Sequence, residues 1–271
     1  MRYNSMCFLL LLSDKVKQPI NYLILALVTF LPISALFVII HEYIHSTTAW
    51  LLGAKENPMI IQWGNLLTLA GWDEDVCYSC LFDSGQGTAA AIIAASPLIF
   101  QAAVFIVCLY LMLGDLLLKK RLLFHVVFWV AIINFMELFD YIAMRSFASN
   151  GDTGNINHGL GLSPWLLFTV NMSLVLAGIY LLFGRVLPRV NVVVAKGNLP
   201  TKRLILVLSA FIFFLLGSGL RVMIYLYPDP QWMFGLIVLA GFVLVVYLCW
   251  PTRRWVVEKE GEELKKIENI D

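Results

Sequence analysis

Two histidines and a glutamate, His41, Glu42 and His45, lie at the end of an otherwise apolar run that begins near residue 20. Side chains four positions apart lie on the same face of an α-helix, so His41 and His45 can present two imidazole nitrogens to one metal ion. Glu42 lies beside the first ligand, where its carboxylate can take a proton from an attacking water molecule. Ionisable side chains are costly in an apolar run, so their grouping favours a functional site over side chains that merely reach a membrane interface.

The composition indicates a membrane protein with several spans. Of the 271 residues, 60% are hydrophobic and 14% are charged, with a mean hydropathy of +0.82. Soluble domains carry about 25% charged residues, and several apolar runs reach the 18 or more residues that a bilayer-spanning helix needs. The net charge of +1 gives no reason to expect a nucleic-acid partner.

Because lipid offers no hydrogen-bond partners to open backbone, we predict an all-α fold with about six transmembrane helices and a short hairpin or loop insertion after the first. The predicted spans cover residues 20–45, 88–113, 122–144, 164–186, 204–227 and 232–250. This divides the chain into an N-terminal interfacial segment (1–19), a core with spans one to three and the candidate site (20–160), spans four to six (161–250) and a charged C-terminal tail (251–271), expected to form a solvated helix.

Lysine and arginine concentrate in the loops on one side of these spans, as in 119–121, 185–203 and 253–254. Such loops usually stay in the cytoplasm, so we expect a multi-pass protein of a cell or inner membrane with both termini cytoplasmic. Cys77 and Cys80 then lie in an outward loop, where a disulfide is the expected state of this isolated C-x-x-C pair.

A catalytic zinc site needs a third protein ligand and one open position. Span three ends on the same side as the histidine pair, and the acidic residues there are Glu137, Asp140 and Asp152. We favour Asp152, because its flanking glycines allow the chain to fold back, although N-G-D-T-G is also simply a good turn. Asp140 and then Glu137 are the alternatives. We therefore predict His41, His45 and Asp152 as metal ligands, Glu42 as the catalytic base and Zn²⁺ as the cofactor.

Two segments extend the motif. Ala49 and Gly53 complete H-E-x-x-H-x-x-x-A-x-x-x-G, and span two contains A-A-S-P-L-I-F-Q at residues 94–101. Both resemble the site-2 intramembrane metalloproteases, the second with Ser96 in place of glycine and Gln101 in place of asparagine. The resemblance covers about residues 30–160 and implies a third zinc ligand from an aspartate in a downstream N-x-x-P…D-G segment. In this chain the proline of N-x-x-P is missing after Asn134. Gly151 also precedes Asp152, the reverse of the D-G order in the family pattern.

The resemblance implies a membrane-embedded zinc metalloendopeptidase that cleaves a peptide bond in or next to a membrane segment of a protein substrate. Its expected partners are that substrate and the lipid bilayer, and the oligomeric state stays open. One alternative is a membrane zinc hydrolase similar to prenyl-protein endoproteases, with Glu137 as the third ligand. Another is a non-enzymatic metal-binding or transport protein.

Overall fold

The structure, a computed structural model, describes residues 14–65, 71–220 and 232–269. Within these ranges the chain is helical, and the extended pairing there is limited to an isolated antiparallel bridge between Gln62 and Asp73. Five of the described helices are long and apolar enough to cross a membrane. The predicted all-α polytopic membrane fold is confirmed, and the described part of the predicted hairpin or loop insertion contains that bridge.

The helices are, in chain order, α1 (Asp14–Leu51), α2 (Tyr78–Asp83), α3 (Gly87–Leu113), α4 (Arg121–Leu138), α5 (Gly151–Leu160), α6 (Pro164–Ile179), α7 (Leu199–Ala210), α8 (Met233–Leu248) and α9 (Arg254–Glu268). Three of them continue without a break into wider π-helical turns: α4 over Phe139–Met144, α6 over Tyr180–Val186 and α7 over Phe211–Gly219. After its π-helical turns, α6 regains α-helical geometry over Leu187–Val193.

The five long spans are α1, α3, α4, α6 and α7, which correspond to the first five spans predicted from the sequence. The sixth predicted span contains α8, an apolar helix of 16 residues. The end of the fifth predicted span lies outside the described residues, as do the first 13 residues of the predicted interfacial segment. Helix α1 continues to Leu51 instead of ending at His45, so the histidine pair lies inside the helix and not at its end.

Helix α4 forms the centre of the bundle and contacts α1, α3 and α7. Its side chains Phe128, Trp129 and Ile132 are almost completely buried. Ring stacking joins it to α7, with the ring centroids of Phe135 and Phe213 4.8 Å apart. This apolar centre holds α1 and α3 in fixed positions, and these two helices supply most of the candidate site.

The C-terminal helix α9 differs from the solvated helix predicted from its charge, because two of its glutamates are buried against the bundle. Glu263 pairs with Arg189 at 2.9 Å, and Glu260 pairs with Lys202 at 2.5 Å. Arg189 also donates to the carbonyl oxygen of Leu113 at the end of α3. Buried carboxylates need such partners, and here the partners come from distant parts of the chain.

Candidate metal centre

Three potential metal ligands converge between α1 and the first turn of α5. Nε2 of His41 lies 3.1 Å from Nε2 of His45. The two carboxylate oxygens of Asp152 complete the group, Oδ2 at 3.2 Å from His41 Nε2 and Oδ1 at 3.2 Å from His45 Nε2. All three residues are buried. Within the described ranges, this is the group of three whose ligand atoms are close enough to share one ion.

The size of this triangle fits a tetrahedral metal ion. Ligand atoms about 2.0–2.1 Å from a tetrahedral zinc ion lie roughly 3.3 Å from one another. The two imidazole nitrogens are 3.1 Å apart, and each lies 3.2 Å from one Asp152 oxygen, Oδ2 for His41 and Oδ1 for His45. Two imidazoles and one carboxylate also form the donor set of several catalytic zinc sites, which leaves a fourth position open. The residues present therefore fit a zinc ion.

Helix α3 orients the second histidine. The carbonyl oxygen of Ile93 accepts a hydrogen bond from Nδ1 of His45 at 2.8 Å. The proton on Nδ1 leaves the lone pair of Nε2 for a metal, which is the usual arrangement of histidine ligands. That carbonyl is available because Pro97, four residues later inside α3, has no N–H to donate to it. The first histidine, His41, is instead stacked on the ring of Tyr141, with centroids 5.3 Å apart.

Asp152 belongs to a ten-residue helix, α5, and not to the folded-back loop that its flanking glycines suggested. Two glycines of this helix, Gly154 and Gly159, allow close backbone contacts. A Cβ at Gly159 would lie 2.2 Å from the carbonyl oxygen of Gly87 in α3, and one at Gly154 would lie 2.7 Å from the backbone of Ser149. These contacts fix the helix that carries Asp152 against α3 and the preceding turn.

Two hydrogen bonds tie α5 to the end of the third span and to the turn that follows it. The hydroxyl of Thr153 donates to the carbonyl oxygen of Tyr141. Nδ2 of Asn157 donates to the carbonyl oxygen of Ser146 at 2.8 Å. Asp152 therefore faces the histidines from a short, anchored helix, and its carboxylate lies in the first turn, where the helix dipole stabilises negative charge.

The electrostatic surroundings of Asp152 favour the carboxylate that a metal needs. Burial, the largest single effect, would raise the pKa of Asp152, and the neighbouring charge of His45 opposes it. Hydrogen bonds from His41 and His45 act in the same direction, so the pKa lies below its usual value.

Glu42, the predicted base, is buried beside the two histidines on α1, with 9% of its surface exposed. It is close enough to His41, His45 and Asp152 to interact with them electrostatically.

The other two acidic residues considered as third ligands do not join the group. Asp140 is buried in the π-helical turns that end the third span, and Glu137 is half-buried one turn earlier. Neither belongs to the set of potential ligands that converge on one point.

Tyr78, which the sequence did not single out, packs against a buried cluster that includes Ala49 of α1 and Ile93 of α3, close to the candidate site. It follows Cys77, whose predicted disulfide with Cys80 is present, and its hydroxyl oxygen is buried. Burial raises the pKa of Tyr78 far above its usual value, and the nearby carboxylate of Glu74 raises it further. Asp152 and Glu42 act in the same direction. The phenol therefore stays protonated, and its O–H group lies within hydrogen-bonding reach of Glu74.

The segment before Tyr78 is attached to the outer part of α1. The hydroxyl of Ser46 donates to the carbonyl oxygen of Pro58 at 2.9 Å. The ammonium of Lys55 donates to the carbonyl oxygens of Ile60, at 2.5 Å, and Glu74. These bonds hold the segment over the end of α1 that contains the histidines.

The chain matches no protein-family model, no curated protein and no solved structure.

Proposed function

We propose that this protein is a zinc metalloprotease of the site-2 type, which hydrolyses a peptide bond in or next to a membrane segment of another protein. The observation that carries the proposal is the buried triangle of His41, His45 and Asp152, with side-chain atoms 3.1–3.2 Å apart. Its position within α1 supports an intramembrane site. His41 lies nine residues before Trp50, about 14 Å along a helix, and half-exposed tryptophans such as Trp50 commonly mark the membrane interface.

The three ligand side chains would hold the zinc ion, and Ile93 and Tyr141 would keep the imidazole rings in place. When bound, zinc supplies Lewis-acid chemistry, which polarises the scissile carbonyl and makes a water molecule more acidic. Glu42 takes the proton from the attacking water at its carboxylate and returns it to the leaving amine. The neutral phenol of Tyr78 donates a hydrogen bond to the negative charge that develops on the carbonyl oxygen.

The geometry favours this function over a hydrolase of the prenyl-protein-endoprotease kind. That alternative requires Glu137 as the third ligand, whereas Asp152 is the acid whose oxygens lie 3.2 Å from the histidine nitrogens. A non-enzymatic metal-binding or transport protein could use the same triangle. It has no need for Glu42, a buried carboxylate outside the triangle, so Glu42 distinguishes the two functions.

Purified protein can be incubated in detergent with a single-span reporter whose membrane segment contains helix-breaking residues, and the products identified by mass spectrometry. We expect wild-type protein to cleave the reporter and Glu42→Gln to retain metal without cleaving it. Cleavage that persists in Glu42→Gln at the wild-type rate would contradict the protease proposal. A metal-loaded wild type that cleaves no member of a panel of such reporters would favour the non-enzymatic alternative.

A further inference from the structure

Two adjoining cavities lie at the end of the bundle away from the metal centre. The basic cavity, named for its side chains, has a volume of about 560 Å³. The neutral cavity has a volume of about 410 Å³, and Arg121 lines both. Asn21 of the neutral cavity lies twenty residues before His41 on α1, about 30 Å along a helix. The cavities are therefore separate from the metal centre.

The basic cavity contains four cationic side chains and one carboxylate. The cations come from separate parts of the fold: the entry into α4, the turn before α7, and α7 itself (Lys119, Arg121, Lys196 and Lys202). The carboxylate of Glu260 on α9 accepts hydrogen bonds from Lys202 and from Asn191. Because Lys202 already pairs with this acid, the charges of Arg121 and Lys196 leave the cavity with an excess of positive charge, which attracts anions.

Arg121 is positioned to bind such an anion. Its Nε donates to the carbonyl oxygen of Val194 at 3.0 Å, which fixes the guanidinium group. Its two terminal nitrogens make no hydrogen bond with the residues that the structure describes. A planar guanidinium held in this way matches the geometry of a phosphate group. Lys196 lines the same cavity as Arg121. It lies in a tight turn, where its backbone φ of 48° is one that lysine seldom adopts.

The neutral cavity offers hydrogen-bonding groups without negative charge. Its walls include the side chains of Gln18, Asn21 and Thr201, and no Asp or Glu is among its described lining residues. Tyr22 and His125 also line it, and their rings contact each other edge to face, with centroids 5.4 Å apart.

Apolar side chains surround the openings. Leu122 is 62% exposed beside the neutral cavity, and Leu264 is 50% exposed beside the basic one. Leu122 is the second residue of a helix long and apolar enough to cross a membrane, so we expect the two cavities to lie near the level where lipid headgroups meet acyl chains. Basic pockets between transmembrane helices at this level are known binding sites for anionic headgroups.

We propose that the basic cavity binds a phosphate group through Arg121 and Lys196, and that the neutral cavity holds the uncharged polar part of the same ligand. An anionic phospholipid and a soluble phosphate compound share this chemistry. Glu260, Leu264 and Ile267 of α9 form one wall of the basic cavity. The bound ligand therefore connects the C-terminal helix to the bundle and stabilises the folded protein.

The test is a titration of delipidated, detergent-purified full-length protein with three probes, followed by thermal unfolding and native mass spectrometry. The probes are short-chain phosphatidylglycerol, short-chain phosphatidylcholine and inorganic phosphate. We expect phosphatidylglycerol to raise Tm and to remain bound in native spectra, with phosphatidylcholine weaker. Lys196→Gln and Arg121→Gln should each weaken phosphatidylglycerol binding about fivefold.

Arg254→Gln is the matched control, because it removes one positive charge from the start of α9, on a side chain that is 93% exposed and does not line either cavity. It should bind phosphatidylglycerol as wild type does. If inorganic phosphate produces the same stabilisation and the same loss in the variants, the natural ligand is a soluble phosphate compound. No stabilisation by any probe, or an equal loss in Arg254→Gln, would overturn the proposal.

Discussion

Nδ1 of His45 donates its proton to the carbonyl oxygen of Ile93 at 2.8 Å. This contact joins two helices at a point where regular helical hydrogen bonding is interrupted, because Pro97 removes the N–H that would otherwise occupy the same oxygen. The hydroxyl of Ser96 shares that oxygen at 2.8 Å. Ser96 and Pro97, which lie in the α3 segment that resembles the site-2 proteases, therefore surround the carbonyl that orients His45, a predicted metal ligand on α1.

Pro97→Ala tests this relationship. The new N–H can bond to Ile93 and compete with His45, so we expect zinc affinity to fall about 10–100-fold, the usual effect of losing a partner behind a metal ligand. Helix α3 should remain intact, since alanine is the best helix former. The measurement is competition for zinc against a chelator of known affinity. Pro32→Ala, in α1, is the control, and an equal loss of zinc affinity there would refute the role of Pro97.

Glu42→Gln should retain zinc and lower kcat about a thousandfold, because it removes the proton acceptor and none of the three ligands. Metal content and single-turnover cleavage on the same preparation provide the check. If zinc is lost together with activity, Glu42 is structural instead of catalytic.

Tyr78→Phe should lower kcat by about a hundredfold, the typical effect of removing one donor to a developing oxyanion. Since the pKa of Tyr78 is raised above its usual value of about 10, the phenol remains protonated at lower pH. The loss should therefore be the same at pH 6 and at pH 9, with zinc content unchanged. A decrease in kcat that differs between pH 6 and pH 9 would argue against this role, and so would an effect on KM alone.

Gly159→Ala should disturb the helix that carries Asp152. The added Cβ would lie 2.2 Å from the backbone of Gly87, so α5 must move away from α3, at a cost of about 1–3 kcal/mol in the free energy of unfolding. We expect lower zinc occupancy and a lower Tm. Gly261→Ala is the matched control, because its Cβ meets nothing within 4 Å in helix α9. An unchanged zinc occupancy in Gly159→Ala would show that this contact does not position Asp152.

Glu263→Gln should loosen the C-terminal helix. It leaves the buried guanidinium of Arg189 without its carboxylate, a change that typically costs about 3–5 kcal/mol. Limited proteolysis should then cut within α9 faster than in wild type. The control is Glu258→Gln, whose exposed pair with Arg254 contributes at most about 1 kcal/mol. Equal proteolysis rates in the two variants would contradict the docking of α9.

The parts of this structure that the sequence predicts are those governed by short-range patterns. Apolar runs identify the long spans, and the four-residue spacing of His41 and His45 places them on one helix face. The disulfide of Cys77 and Cys80 likewise joins neighbours along the chain. In each case the deciding residues lie close together in the sequence, so no knowledge of the packing is needed.

The remaining features depend on contacts between distant segments. The glycine-rich stretch from Gly151 to Leu160 has poor helix propensity, yet it is helical because its glycines permit close packing on α3. The bond from His45 to Ile93 and the burial of Glu263 against Arg189 also join residues far apart in the chain. Nothing in the sequence indicated a functional role for Tyr78, which is simply one of the two residues between Cys77 and Cys80.

The most direct test of the metal centre is zinc content by mass spectrometry on detergent-purified wild type beside His41→Ala, Asp152→Ala, Asp140→Ala and Glu137→Ala. We predict about one zinc ion per chain in wild type, its loss in His41→Ala and Asp152→Ala, and its retention in the other two variants. Wild-type protein without zinc would contradict the metalloprotease proposal. Zinc that persists in Asp152→Ala but is lost in Glu137→Ala would contradict the assigned third ligand.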